Sequence, residues 1–61
     1  MKVGEWVRKQ RELKGWTQQK LHDKCGYAPQ YISKIERGKS IPSARCVRGF
    51  EATFGEKFEE A

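Results

Sequence analysis

Residues 17–38 read TQQKLHDKCGYAPQYISKIERG, and they contain the clearest signals for where helices begin and end. Thr17 is a good N-cap for a short helix, and Gly26 supplies a left-handed residue that ends it after two turns. Pro29 suits the first turn of a second helix, where its missing N–H is no loss. Gly38 ends this second helix, which we expect to run from about residue 29 to residue 36.

A short helix, a tight turn containing glycine and another short helix are typical of a helix-turn-helix. In such a unit the first helix braces the DNA backbone, and the second presents its outer face to base edges. The same spacing of apolar residues also fits an ordinary helical hairpin in a small bundle. Periodicity therefore leaves DNA binding and a purely structural hairpin both open.

Helices are also predicted on either side of this unit. The first lies within residues 1–14 and ends before Gly15, and a loop over residues 39–42 leads to a helix capped by Ser43. That helix ends at Gly55, and residues 56–60 are predicted to add one short turn. No stretch alternates as a strand does. The sequence therefore predicts an all-α fold, a compact domain of four to five helices that occupies residues 1–61.

Apolar residues at helical spacing are assigned to the hydrophobic core. Val3, Trp6, Val7 and Leu13 follow such a spacing in the first helix. Trp6 is open to two interpretations, because it either caps the core or lies exposed for a partner. The residues expected in the core are Trp16, Leu21, Cys25, Ile32, Ile35, Val47, Phe50 and Phe54.

Charge is distributed unevenly along the chain, which has a net charge of +5. Residues 1–48 carry 12 basic and 4 acidic side chains, whereas residues 49–61 carry one basic and four acidic ones. A basic body suits a polyanion, because each Lys or Arg placed on a phosphate releases condensed counterions. A solvated basic surface without a partner explains the charge equally well.

Few residues are available for metal or redox chemistry. Cys25, Cys46 and the single His22 match no standard zinc spacing, so we expect reduced thiols, no metal and no cofactor in a cytoplasmic protein. No convergent set of base, nucleophile and charge stabiliser is present, so an enzyme is not expected. Neither a signal peptide nor a membrane-spanning stretch is predicted.

Three segments carry a resemblance to a known family: GWTQQKL, the glycine at 26, and YISKIERGKSIPS. From about Val3 to Gly55 the chain resembles the phage-repressor (lambda-repressor-like, Cro-type or XRE-type) helix-turn-helix domains. The resemblance implies a compact domain of five helices whose third helix reads the major groove. It also implies a transcriptional regulator, usually a repressor, that binds a palindromic operator as a symmetric dimer.

The family's residue roles carry over by position. Those implied to face bases are Ala28, Pro29, Gln30, Ser33 and Lys34, where Gln pairs with adenine and Lys reaches guanine. Those implied to contact the sugar-phosphate backbone are Gln18, Tyr31, Arg37, Lys39 and Ser40. Arg11 and Glu36 match a partly buried ion pair that ties the first helix to the end of the third.

The chain departs from the family pattern at three positions. His22 and Glu51 occupy sites that are usually small, so each needs a polar partner or a path to solvent. Ala28 replaces the usual hydroxyl cap of the recognition helix, which weakens that helix slightly.

Double-stranded DNA and a second copy of the chain are the partners that the resemblance implies. Because the chain has little surface to spare, we expect the copies to pair only on DNA. Phe54 and Phe58 are the expected dimer contact, because they lie beyond the helix-turn-helix unit. The alternative is an antitoxin or adaptor whose main partner is another protein, docked through the acidic C-terminal end.

Overall fold

Local signals set the ends of the helices in the computed structural model, which describes residues 2–59. The Thr17 hydroxyl accepts a hydrogen bond from the Lys20 N–H at 3.0 Å, and the Ser43 hydroxyl accepts one from the Cys46 N–H at 3.2 Å. Gly26 is left-handed, with a φ of 83°. The helices are α1 (Val3–Leu13), α2 (Gln18–Cys25), α3 (Pro29–Glu36) and α4 (Ala44–Phe54). Both predicted caps are confirmed.

The N-terminus of α3 lacks a side-chain cap, as the sequence predicts. Ala28 holds the N-cap position without a side-chain hydrogen bond, and Pro29 takes the first helical position. The Ala28 carbonyl accepts from the N–H groups of Tyr31 and Ile32, both at 3.0 Å. Proline therefore starts α3 in place of a hydroxyl cap.

The predicted short turn after Gly55 is wrong for residues 56–59, which are not helical; residue 60 lies outside the described residues. The Phe58 N–H donates to the Glu51 carboxylate at 2.8 Å, so it is not available for a helical bond to a carbonyl. The Phe58 ring lies against Trp6, with centroids 5.3 Å apart. Side-chain contacts thus hold this segment against the domain in a non-helical conformation, and residues 2–59 contain four helices and no strand.

The core differs in part from the predicted set. Trp16, Cys25 and Val47 of that set are half-buried. Leu13, which is not in the set but follows the helical spacing of α1, is 70% exposed. Trp6 is buried, which decides between its two interpretations. The buried apolar residues are Trp6, Val7, Leu21, Ile32, Ile35, Cys46, Phe50 and Phe54.

Aromatic rings join α1 to α4 and to the C-terminal segment. Trp6 meets Phe54 edge to face, with ring centroids 5.5 Å apart, and Phe54 stacks on Phe50 at 6.1 Å. Phe54 is therefore an internal residue, and its predicted role in a dimer contact is wrong. Phe58 is half-buried against the same cluster.

Candidate nucleic-acid interface

Helix α3 has one buried face and one polar face. Ile32 and Ile35 are fully buried where α3 packs against α1 and α2, and they fix the rotation of the helix. Gln30 and Lys34 are exposed and four residues apart, so they lie one above the other on the outer face. Two long polar side chains therefore project from a helix that packing holds in place.

An open, shallow groove surrounds these two side chains. It is lined by Gln18, Pro29, Gln30, Ser33, Lys34 and Arg37. Four of the five residues predicted to face bases thus come together with two of those predicted to face phosphates. Ala28 is exposed just before the helix but does not line the groove. Lys34 and Arg37 give the groove positive charge, and none of the described residues that line it is acidic.

Glu36, the only acidic residue of α3, points into the protein. Its carboxylate is paired in two-point fashion with the Arg11 guanidinium, through Nε at 2.8 Å and Nη2 at 3.0 Å. The Glu36 side chain is only 4% exposed, and hydrogen bonding to it raises the pKa of Arg11 above its usual value. The pairing neutralises the Glu36 carboxylate, which lies away from the outer face of α3.

The Arg11–Glu36 pair also connects α1 and α3 to the start of α2. Arg11 Nη1 donates to the Trp16 carbonyl oxygen at 2.7 Å, and Gln18 Nε2 donates to Glu36 Oε1 at 3.3 Å. Gln18 therefore lines the open groove while its amide nitrogen is bonded to the ion pair. Its position buttresses α3 from the neighbouring helix.

Three of the five residues predicted to contact phosphates, Arg37, Lys39 and Ser40, lie just after the end of α3. Arg37 and Lys39 are exposed, and Arg37 Nε donates to the Ser33 carbonyl oxygen at 3.3 Å. This bond keeps the guanidinium beside the groove. Ser40 is half-buried, and it lines a different concavity of the surface.

Tyr31 packs against the core and is half-buried. Its ring lies 5.8 Å from that of Tyr27. Burial raises the pKa of Tyr31, the neighbouring Cys46 side chain adds to the rise, and a hydrogen bond with Ser40 opposes it. Only part of Tyr31 is therefore accessible beside the outer face of α3.

His22 and Glu51, the large residues at sites where the family has small ones, each bond to the backbone. His22 Nδ1 lies 2.8 Å from the Tyr27 carbonyl oxygen. Because a carbonyl oxygen only accepts, Nδ1 carries the proton and donates across the turn between α2 and α3. The Glu51 carboxylate accepts from the Phe58 N–H. Both polar groups have partners, as burial of such groups requires.

Tyr27 is a structural residue of the site that the sequence did not single out. Its ring packs on Phe50 at a centroid distance of 5.3 Å, and its hydroxyl lies next to the backbone of Gly49. Tyr27 thus fixes the turn between α2 and α3 on α4. No sequence signal points to Tyr27: a Cβ at Gly49 would meet its hydroxyl only at ordinary contact distance, so the helical glycine does not reveal the contact.

No three His, Cys, Asp or Glu side chains of residues 2–59 cluster as metal ligands. Cys25 is half-buried, Cys46 is buried, and both thiols are free. None of the four helices is long and apolar enough to cross a membrane.

The profile of a family described as helix-turn-helix matches residues 7–60. The chain belongs to this helix-turn-helix family, which confirms the lambda-repressor-like resemblance and the all-α fold. The family is one of DNA-binding domains and not a family of enzymes.

Several eukaryotic proteins are similar in sequence to this chain. The chain is 31% identical over 55 residues to multiprotein-bridging factor 1 of Schizosaccharomyces pombe, covering 90% of this chain and 37% of that protein. It is 35% identical over 57 residues to the endothelial differentiation-related factor 1 homolog of Danio rerio, covering 93% and 39%. The human endothelial differentiation-related factor 1 is 33% identical, with 93% and 38% covered. The chain thus spans less than two fifths of the length of these curated relatives.

Proposed function

We propose that this chain binds double-stranded DNA in a sequence-specific manner and regulates transcription, with α3 in the major groove. The observation that carries the proposal is the outer face of α3, where Gln30 and Lys34 are exposed in a groove whose described lining residues include no carboxylate. Family membership supports the same function. An α-helix fits the width of the major groove, so both side chains reach base edges there.

Base recognition rests on the side chains that line the outer face. Gln30 pairs with the N6 and N7 atoms of adenine, and Lys34 donates to O6 and N7 of guanine. Ser33 bonds to either kind of base, and Ala28 and Pro29 offer apolar contact to a thymine methyl group. These five residues determine which sequence is bound.

Backbone contacts surround the base-reading residues. Arg37 and Lys39 neutralise phosphates, which supplies affinity for any sequence through counterion release. Gln18, Tyr31 and Ser40 donate hydrogen bonds to phosphate oxygens. Such contacts set the register of the domain on the duplex and leave the choice of sequence to the base contacts.

The regulator acts as a repressor, in the cytoplasm, and as a symmetric dimer on a palindromic operator. The likeness to phage repressors supports this form, because two-fold symmetry in the protein requires two half-sites about 34–36 Å apart. Phe54 is buried, so the dimer contact involves other residues.

Selection of bound duplexes from a random pool at physiological salt tests the proposal. We expect a consensus of two inverted half-sites whose centres are about one helical turn apart. A pool without enrichment would contradict sequence-specific binding. A consensus with a single half-site would leave sequence-specific binding in place and contradict the dimer.

A protein partner is a second candidate function, as an antitoxin or an adaptor. It is favoured by the name of one relative, a multiprotein-bridging factor. The docking surface expected from the sequence is the acidic end, where Glu56 and Glu59 are exposed. A toxin gene beside the gene for this chain, and loss of toxin binding in Glu56→Lys with Glu59→Lys, would support it. A toxin complex that tolerates both changes would exclude the acidic end.

A further inference from the structure

A second concavity, separate from the DNA-facing groove, lies between α1, the end of α3 and α4. Its apolar walls are formed by Val3, Ile35, Ile41, Pro42, Val47 and Phe58, and we call it the Ile41 groove. The cavity has a volume of about 430 Å³. None of its lining residues also lines the groove around Gln30 and Lys34.

Ile41 makes this surface unusual for a small soluble domain. Its side chain is 89% exposed beside the apolar walls. Burying an isoleucine side chain fully contributes about 1.5–3 kcal/mol, so leaving it in water forgoes that stabilisation. Contiguous apolar surface with a polar rim is typical of an interaction site.

Charge around the Ile41 groove indicates what kind of partner fits. Among the described residues that line it, Lys2 is the only charged one, and the exposed Lys39 lies in sequence between two lining residues, Gly38 and Ser40. Neither lysine forms an ion pair within residues 2–59. A partner with carboxylates beside its apolar side chains therefore complements the rim.

The size of the groove argues against a second copy of the chain. A stable protein interface buries about 800 Å² on each partner, which is close to a fifth of the 4263 Å² that this domain exposes. A cavity of about 430 Å³ holds only a few side chains. A second copy would also bring lysines of like charge together.

We propose that the Ile41 groove binds a short acidic amphipathic helix of a partner protein. Apolar side chains at helical spacing enter the groove, as in other helix-in-groove complexes. Their flanking Asp and Glu residues lie beside Lys2 and Lys39. The two grooves share no lining residue, but Lys39 and Ser40 are also proposed to contact phosphates, so DNA and this helix compete for these two residues.

Fluorescence anisotropy with two labelled peptides of about 15 residues tests the proposal. Both carry Leu and Phe at positions i, i+3, i+4 and i+7; one has Glu and Asp at the remaining positions and the other has Lys. We expect the acidic peptide to bind at least ~10-fold more tightly than the basic one, with a preference that weakens as salt rises. Equal binding of the two peptides, or binding of neither, would overturn the proposal.

Ile41→Ser locates the binding surface, with Leu13→Ser as the matched control. Both side chains are large, apolar and exposed, but Leu13 lies outside the groove. Ile41→Ser removes an apolar contact, so the affinity for the acidic peptide should fall ~10-fold or more. Leu13→Ser should leave that affinity unchanged. Equal losses in both variants would exclude the groove.

Two further readouts distinguish peptide binding in the Ile41 groove from DNA binding and from dimerisation through the groove. Duplex binding by Ile41→Ser should match that of the unchanged chain, so a failure of DNA binding would not affect the peptide result. The second readout is sedimentation of the free protein. If it shows a dimer, and if Ile41→Ser dissociates that dimer, a second copy occupies the groove and the proposal is overturned.

Discussion

Gly4 lies where α1 crosses α3, and a methyl group at this position would collide with the carbonyl oxygen of Ile35. Relief of the collision requires a backbone shift, so we expect Gly4→Ala to lower the free energy of unfolding by about 1–3 kcal/mol. This loss outweighs the ~1 kcal/mol by which alanine is the better helix former. Urea unfolding followed by circular dichroism measures it.

Gly49 provides the control for Gly4. A Cβ built at Gly49 lies 3.4 Å from the Tyr27 hydroxyl oxygen, which is close to ordinary contact. Gly49→Ala should therefore leave the free energy of unfolding unchanged or raise it by up to about 1 kcal/mol. Equal destabilisation by the two substitutions would show that the close approach at Gly4 has no special role.

Side chains on and beside the outer face of α3 differ in what they should do to DNA binding. Gln30→Ala and Lys34→Ala should each relax the base preference at one position, by about 1–3 kcal/mol. Arg37→Ala and Lys39→Ala should lower the affinity for all DNA sequences alike and reduce the salt dependence of binding. Titrations of matched and mismatched duplexes at several salt concentrations separate the two effects, with Lys57→Ala as the control. Unchanged selectivity in the first two variants would show that the recognition face lies elsewhere.

At the level of elements, the Arg11–Glu36 pair joins α1 to α3 and, through Gln18, to α2. Arg11→Ala leaves the buried Glu36 carboxylate without its cation, and we expect a loss of about 3–5 kcal/mol in the free energy of unfolding. Changing both residues, Arg11→Met with Glu36→Leu, should cost less than Arg11→Ala alone, because no charge is then stranded.

An exposed ion pair of α1 serves as the control. Arg8 and Glu12 lie 3.2 Å apart, with side chains 62% and 56% exposed, so Arg8→Ala should cost less than about 1 kcal/mol. Thermal unfolding of the variants gives the comparison. A cost for Arg11→Ala as small as that for Arg8→Ala would contradict a structural role for the buried pair.

The two tyrosines link the turn before α3 to α4, and they predict a response to alkaline pH. Interaction with the Cys46 side chain, together with burial, raises the pKa of Tyr27, and burial and Cys46 raise that of Tyr31. Both groups are neutral in the folded and unfolded protein below about pH 10, the usual tyrosine pKa. Above it the unfolded chain ionises first, so stability is lost as the pH rises through the raised values.

Absorbance at a wavelength specific for tyrosinate measures these ionisations directly. The folded protein should titrate at higher pH than the same chain in denaturant, and Tyr27→Phe should remove one of the two late ionisations. Identical titration curves for the folded and unfolded protein would contradict the raised pKa values.

At the level of the whole molecule, size limits how two copies meet on DNA. The Cα atoms extend over 27 × 23 × 19 Å, whereas half-sites one turn apart place two recognition helices about 34–36 Å apart. Two copies therefore touch over a small area only. We expect a monomer in free solution, which sedimentation measures. We expect two copies on a palindromic duplex, which gel shifts measure.

Half-site spacing tests this pairing. Insertion of about five base pairs, half a helical turn, puts the second half-site on the opposite side of the duplex. Cooperative binding should then disappear, while a single half-site keeps its affinity for one copy. Equal cooperativity at both spacings would rule out direct contact between the copies.

Much of the fold was predictable from the sequence because helix ends depend on neighbours a few residues away. Thr17 and Ser43 cap helices by bonding to N–H groups three residues ahead, and Gly26 needs only its own left-handed conformation. The boundaries of α2, α3 and α4, and with them the placement of Gln30 and Lys34, followed from these local preferences.

The assembled structure alone decided what is buried and what remains exposed. Trp6 and Leu13 have the same helical spacing in the sequence, yet Trp6 is 5% exposed and Leu13 is 70% exposed. The contact of Phe58 with Trp6 replaced the predicted last turn, and the exposed Ile41 borders a groove with no sequence signal. Burial is a sum over contacts between residues far apart in the chain, so it depends on how the helices pack and not on any one segment.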